Sequence, residues 1–245
     1  MLAGQKLRKT FGSLVALNDV DVSVARDKIT VVIGPSGSGK TTLLRALALL
    51  DPPDRGCVSI DGTAFQFPRR NSGTLAPPWP KVTVVFQQLF LWPHLTLREN
   101  ILLPLRLNGG DFARFEEVIR LFGMIDFLDR YPNEASLGQR QRAALARALV
   151  LEPHYVLLDE ITSALDIEQT GIIMNYLFSL RDRGIGLMVV THFIGFAKRI
   201  LARREGDQLV FLEGGSVLES GDIGVLENPK HPRLRAFLAA SQLVS

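Results

Sequence analysis

Apolar positions along this chain fall into two rhythms. Short continuous runs have the length and β-branched content of buried strands: Ile29-Thr30-Val31-Val32-Ile33, Val82 to Phe86, Tyr155 to Leu158 and Leu187 to Val190. Residues 5 to 24 also read as strands. Within them Val20, Val22 and Val24 alternate with polar residues, the period of a half-buried strand. Val58-Ser59-Ile60 is a further strand, closed by a hairpin-type turn at Asp61-Gly62. Gln208 to Leu212 and Ser216 to Glu219 flank Glu213-Gly214-Gly215 as a second hairpin. The helical rhythm begins with Thr42 to Leu50, governs residues 95 to 150, and returns in a last helix that includes His231 to Ala240. Between Phe67 and Pro80, Pro68, Gly73, Pro77, Pro78 and Pro80 predict an irregular surface loop. Strands alternating with helices predict an α/β fold built on a sheet and interrupted by one helical insertion. No internal repeat or low-complexity tract stands out.

Composition narrows the class. With 28 Lys and Arg against 25 Asp and Glu, the net charge of +3 is small and evenly spread, which argues against a nucleic-acid partner. The Arg69-Arg70 and Arg203-Arg204 pairs read as solvated surface. The one cysteine, Cys57, excludes an internal disulfide and suits a reducing cytoplasm. Beside Val58 and Ile60 it reads as a small core residue. No N-terminal signal pattern is visible, and the apolar stretches fall short of the ~18–20 residues of a membrane span. A chain soluble by itself is expected. Its mean hydropathy of +0.16 leaves room for an apolar docking surface.

The most informative chemistry is Gly34-Pro35-Ser36-Gly37-Ser38-Gly39-Lys40-Thr41, which fits the phosphate-binding pattern G-x-x-x-x-G-K-[ST]. A strand before it and a helix from Thr42 after it are the context this loop needs. Glycines let the backbone wrap around phosphate oxygens, and the helix start adds its positive dipole end. Lys40 would reach the β- and γ-phosphates, and the Thr41 hydroxyl would join a Mg²⁺ shell. A second carboxylate at a strand end is needed to hold Mg²⁺. Val156-Leu157-Leu158-Asp159 supplies it, with Glu160 next in line to orient or deprotonate a water.

On these motifs the chain resembles the ATP-binding subunits of ABC transporters. Gly34 to Thr41 is similar to their Walker A and Val156 to Asp159 to their Walker B. Glu160 matches their catalytic glutamate. Val85-Phe86-Gln87 looks like the Q-loop, and Gln87 is preferred over Gln88 because it directly follows Val85-Phe86. Leu91 to Asn100 resembles the entry to their helical subdomain. Ser163-Ala164-Leu165-Asp166 resembles the D-loop and Thr191-His192 the H-loop. The resemblance implies Mg²⁺ contacts from Thr41, Gln87 and Asp159, and a γ-phosphate contact from His192. Phe11 stands where the family places an aromatic on adenine; a core aromatic is the other reading. Leu89-Phe90-Leu91-Trp92 reads either as core or as the border of the groove that receives a helix of the membrane subunit. The segment Ala135-Ser136-Leu137-Gly138-Gln139 falls where the family carries Leu-Ser-Gly-Gly-Gln. Ser136, Gly138 and Gln139 would meet the γ-phosphate bound to a second copy. Leu137 replaces a glycine there, which would strain the backbone if φ were positive. Ile161 and Phe193 replace a proline and an acid usual in the family.

The resemblance implies a P-loop ATPase of ABC type: a mixed sheet core, an antiparallel β part and an inserted helical subdomain. The expected division is 1–87 and 151–245 for the core and 88–150 for the helical subdomain. Glu227 to Leu238 and Gly195-Phe196-Ala197 look like the polar amino-acid importer group, and the chain ends with no room for the regulatory domain of sugar importers. The implied function is ATP hydrolysis that energises import. The protein would act as a homodimer, or with a related ATPase subunit, at the cytoplasmic face of the cell membrane. Its partners would be a permease and, indirectly, a solute-binding protein. An ATP-binding interaction module with little hydrolysis, a transporter for another solute, and a small-molecule kinase are the alternatives. The kinase leaves Ser136 to Gln139 and Ser163 to Asp166 unexplained.

Overall fold

The computed structural model describes residues 1–69, 78–108, 110–162 and 165–242. Two sheets organise the chain. Strands β1 (Leu2–Phe11), β2 (Leu14–Val24), β4 (Arg55–Ile60) and β5 (Thr63–Phe67) form an antiparallel sheet in the order β2-β1-β4-β5. Strands β3 (Ile29–Ile33), β6 (Val82–Val85), β7 (Tyr155–Asp159), β8 (Gly186–Val190), β9 (Gln208–Glu213) and β10 (Ser216–Gly221) form the second, in the order β10-β9-β3-β8-β7-β6. Five of these run parallel and β10 returns antiparallel to β9, so this sheet is mixed.

The mixed sheet is covered on both faces, which is why its strands read as continuous apolar runs. Side chains alternate between two cores with the two-residue period of a strand. Ile29, Val31 and Ile33 join Val156, Leu158 and Val189 on one face. Val32, Leu157, Met188 and Val190 point to the other. There they meet Leu43, Leu44 and Leu47 of helix α1 (Lys40–Leu47) and Leu2, Leu7, Leu17 and Val20 of the antiparallel sheet. Each such fully buried Leu or Val contributes about 1.5–3 kcal/mol.

The stretch expected to be helical contains α2 (Leu97–Asn108), α3 (Phe112–Leu121), a 3-10 turn (Ile125–Phe127) and α4 (Leu137–Leu149). Helices α5 (Ile167–Asp182), α6 (Ile194–Leu201), α7 (Gly224–Glu227) and α8 (Pro232–Gln242) complete the chain. Among the described residues no helix is long and apolar enough to cross a membrane.

Three boundaries differ from the sequence pattern. Helix α1 stops at Leu47 because Leu49 takes a left-handed backbone, φ 54°, while its side chain stays buried. Pro52 and Pro53 then force an extended path. Strand β5, to which the sequence pattern assigned no element, pairs with β4 as far as Phe67 opposite Gly56, so the expected loop begins one residue late. Strand β6 ends at Val85, one residue early. Arg70, Gly73, Pro77, Ser163 and Ala164, to which the sequence assigns loop or D-loop roles, lie outside the described residues.

A polar knot ties the two sheets. Asp61, at the β4–β5 turn, accepts hydrogen bonds from the Met1 ammonium at 2.8 Å and the Tyr155 hydroxyl at 2.5 Å, and lies 2.5 Å from His154 Nδ1. Burial opposes its charge, but these three partners outweigh that and hold its carboxyl well below the usual carboxylate range.

Candidate active site

Register decides what meets at the end of the mixed sheet. Val32 pairs with Val190 and Asp159 with Val190. The chain leaving β3, β7 and β8 therefore emerges side by side at their carboxyl ends, the usual ligand position of such sheets. Gly34 to Gly39 leave β3, Asp159 and Glu160 close β7, and Thr191 and His192 follow β8.

The glycine loop is shaped by close approaches. A Cβ at Gly34 would lie 2.0 Å from the Leu212 carbonyl oxygen, and one at Gly39 would lie 2.4 Å from that of Ala16. Gly39 also has φ 102° and caps α1 with no side chain, which leaves the first N–H groups of α1 without a side-chain cap. Pro35, Ser36 and Gly37 form the outer curve of the loop, with Ser36 and Gly37 exposed, whereas Ser38 is buried and Thr42 partly so. Lys40 is buried. Its ammonium donates to the carbonyls of Gly34 at 2.9 Å and Pro35 at 2.8 Å. Burial pulls its pKa down, against the raising effect of Glu160 and Asp159.

Thr41 Oγ1 donates to Asp159 Oδ2 at 2.8 Å, while buried Asp159 Oδ1 has no hydrogen-bond partner among the described residues. An orphaned carboxylate oxygen beside a hydroxyl is a donor set that suits a hard divalent cation. Burial raises the Asp159 pKa, and the Glu160 charge adds to this against the Thr41 hydrogen bond and Lys40. A carboxyl whose folded pKa is raised favours its neutral form, so its contribution to stability is lost as pH rises through the folded pKa. Asp159→Asn should therefore raise the nucleotide-free melting temperature at neutral pH, and the gain should shrink toward pH 4. Thermal melts across pH check this; a lower melting temperature at pH 7 contradicts it.

Glu160 has a left-handed backbone, φ 49°, and its N–H donates to Val190 O at 3.0 Å. This unusual conformation persists only where the surroundings enforce it. Its Oε1 stands 3.3 Å from Nδ1 of the exposed His192. Across the sheet Val85 pairs with Leu158, and Gln87 lies exposed two residues past the end of β6. Phe11 ends β1 half exposed, 5.5 Å from Lys9 Nζ, at the tip of the hairpin whose second strand brings Ala16 against the loop. It is no core aromatic.

Ser136, Gly138 and Gln139 form a separate group at the start of α4. Ser136 Oγ accepts from Gln139 N at 3.2 Å, and Gln139 Oε1 accepts from Ser136 N at 3.0 Å, a reciprocal cap. Leu137 is the first helical residue, so a positive φ does not arise there. Gly138 is buried against Gln169 of α5. Asp166 caps α5 through Gln169 N at 2.7 Å. Phe193 caps α6 without a side-chain bond and is half exposed, while Ile161 is buried.

Sequence reasoning missed two residues that support this end of the sheet. Gln141 Nε2 donates to Ile161 O at 2.7 Å, fixing the turn after Glu160. Arg147 reaches the chain beyond Gln87. Neither has a local signal, because each acts on residues far away in sequence. An apolar groove of about 480 Å³ opens between α1, β6, α2 and α4, with Ala48, Val84, Phe86, Leu103, Pro104 and Arg147 in its wall. Its aromatic lining includes Phe86 and Trp79. Phe90 and Trp92 are exposed, while Leu89 and Leu91 pack against the core.

A glycine loop opening a helix, flanked by a strand-end carboxylate and a Glu–His pair, is the arrangement expected of a P-loop nucleoside triphosphatase. The family described as ABC transporter matches residues 17–163. The chain is 36% identical over 244 residues to the glutamine transport ATP-binding protein GlnQ of Escherichia coli (strain K12), covering 97% of this chain and 98% of that one. It is 35% identical over 246 residues to the L-cystine import ATP-binding protein TcyC of Bacillus subtilis (strain 168), covering 97% of each. The dimeric ABC transporter cassette MJ0796 superposes with TM-score 0.78 at 31% identity, covering 91% of this chain and 99% of that one. The same cassette in a post-hydrolysis state bound to ADP and phosphate gives 0.77, with the same identity and coverage. The chain belongs to the ABC transporter family. It is an ATP-binding ATPase of that family.

Proposed function

We propose that this chain is the ATP-hydrolysing subunit of an importer for polar amino acids, working in pairs at the cytoplasmic face of a cell membrane. The observation that carries the site reading is the buried, unpartnered Asp159 Oδ1 beside Thr41 and Lys40. Lys40 would exchange the carbonyls of Gly34 and Pro35 for β- and γ-phosphate oxygens, with the loop N–H groups of Gly34 and of Ser36 to Thr42 around them. Thr41, Asp159 and Gln87 would hold Mg²⁺. That ion, when bound, neutralises phosphate charge. Glu160 takes the proton of a water as its oxygen bonds to the γ-phosphorus and the bond to the bridging oxygen breaks, leaving ADP and phosphate. His192 orients Glu160 and the γ-phosphate. Phe11 stacks on adenine. Ser136, Gly138 and Gln139 reach the γ-phosphate of a second copy, where the α4 N-terminus suits an anion. The dimeric state of MJ0796 supports the pairing.

Residues 1–87 and 151–245 would act as the nucleotide-binding core and 88–150 as a helical subdomain. The groove bordered by Phe86 and Leu103 supports docking of a permease helix, with a solute-binding protein reached only through that permease. The amino-acid reading is supported by relatives named for glutamine, arginine and cystine transport. The test is ATP-dependent uptake of labelled glutamine, arginine or cystine into vesicles holding the chain and its permease. Uptake that needs ATP and an intact Glu160 is expected. Phosphate release near background, with and without the permease, contradicts the reading and favours a binding module.

A further inference from the structure

The chain beyond β6 turns sharply after Gln87. Phe90 takes a left-handed backbone, φ 47°, which a residue with a Cβ adopts only when its neighbours enforce it. Arg147 supplies that enforcement from the last turn of α4. Its Nη1 donates to the Phe90 carbonyl at 2.7 Å and its Nη2 to the Leu89 carbonyl at 2.7 Å. The two bonds come from two different nitrogens held apart in the rigid plane of a guanidinium, a spacing that the single nitrogen of a lysine ammonium does not reproduce. On the other flank of Gln87, the Phe86 ring meets the Phe90 ring edge-on at 5.7 Å, and the Arg45 guanidinium lies 5.5 Å from the Phe86 ring. Gln87 is thus bracketed by Phe86 and by the two carbonyls that Arg147 grips.

Phe86 and the Arg147 side chain both line the apolar groove. Helix α4 carries Arg147 near its end and the Ser136 cap at its start, a rigid span of about 17 Å. We propose that Arg147 is a positioning residue of the ATPase site: its guanidinium fixes the turn that presents Gln87. This rests on the reading of Gln87 as part of the ATP site. Arg147 touches neither nucleotide nor water in this account; it acts through Gln87.

The test compares steady-state ATP hydrolysis and nucleotide affinity of the full chain with Arg147→Lys, Arg147→Met, Gln87→Ala and the Gln87→Ala/Arg147→Lys double variant. Arg147→Lys keeps the stem and the charge, so it serves if the methionine variant fails to fold. Expected are an ATP affinity within about twofold of wild type, a kcat lowered about tenfold, and partial rescue of Arg147→Met by added guanidinium ion. In the Gln87→Ala background Arg147→Lys should cause no further loss, because both act through one group. Wild-type kcat in both Arg147 variants, or losses that multiply in the double variant, overturns the proposal. A wild-type chain that releases no phosphate overturns the site reading as well, which separates the two failures.

Discussion

Lys40→Ala should abolish tight ATP binding, lowering affinity by about a hundredfold or more. The reason lies in what Lys40 does before nucleotide arrives. Its ammonium is buried and held by two carbonyl oxygens of its own loop, at 2.9 and 2.8 Å, and by the Ser38 hydroxyl at 3.5 Å. Carbonyl dipoles are weaker partners than phosphate anions, and burial already disfavours the charge. Nucleotide phosphates would relieve both penalties at once. Alanine at position 40 keeps the helix, since it is the strongest helix former, so the loss should appear in binding and not in folding. Titration with a fluorescent ATP analogue, beside a melting curve, reads the two separately. Affinity within a factor of two of wild type contradicts the role.

Glu160→Gln should bind ATP as well as wild type and release phosphate about 10²–10⁴ times more slowly. The amide keeps the size of the side chain and can still accept from a protonated His192 Nδ1, 3.3 Å away in the native pair. It cannot take a proton from water. The strained φ of 49° is retained, so geometry and proton acceptance are separated by this one atom change. Trapped, slowly dissociating ATP in the variant is the companion signature. Unchanged turnover sinks the assignment of Glu160.

Much of this site was legible in the sequence because its parts are local. A β-branched strand, a glycine loop and a helix follow one another within about twenty residues, and Val156 to Asp159 announces a strand end by its own run of apolar residues. What joined those parts was the resemblance to a known family, since strand order is not written in any short segment. The features that escaped are long-range. The grip of Arg147 on Leu89 and Phe90 spans some fifty-seven positions, and Asp61 meets His154 and Tyr155 across more than ninety. The early end of α1 at Leu49 depends on where its side chain finds a core. Leu137 posed a question that only backbone geometry answers: as the first residue of a helix it needs no glycine.

The central claim is that two copies complete each ATP site, one with Lys40 and the other with Ser136. Ser136→Asp tests it cleanly, because aspartate is as good a helix cap as serine but sets a negative charge where a γ-phosphate would lie. Lys40→Ala and Ser136→Asp should each be inactive alone. Mixed together, they form pairs in which one site keeps both a native Lys40 and a native Ser136. Phosphate release by the mixture, well above the sum of the separate variants, is the predicted result; a mixture that stays at that sum contradicts the shared site.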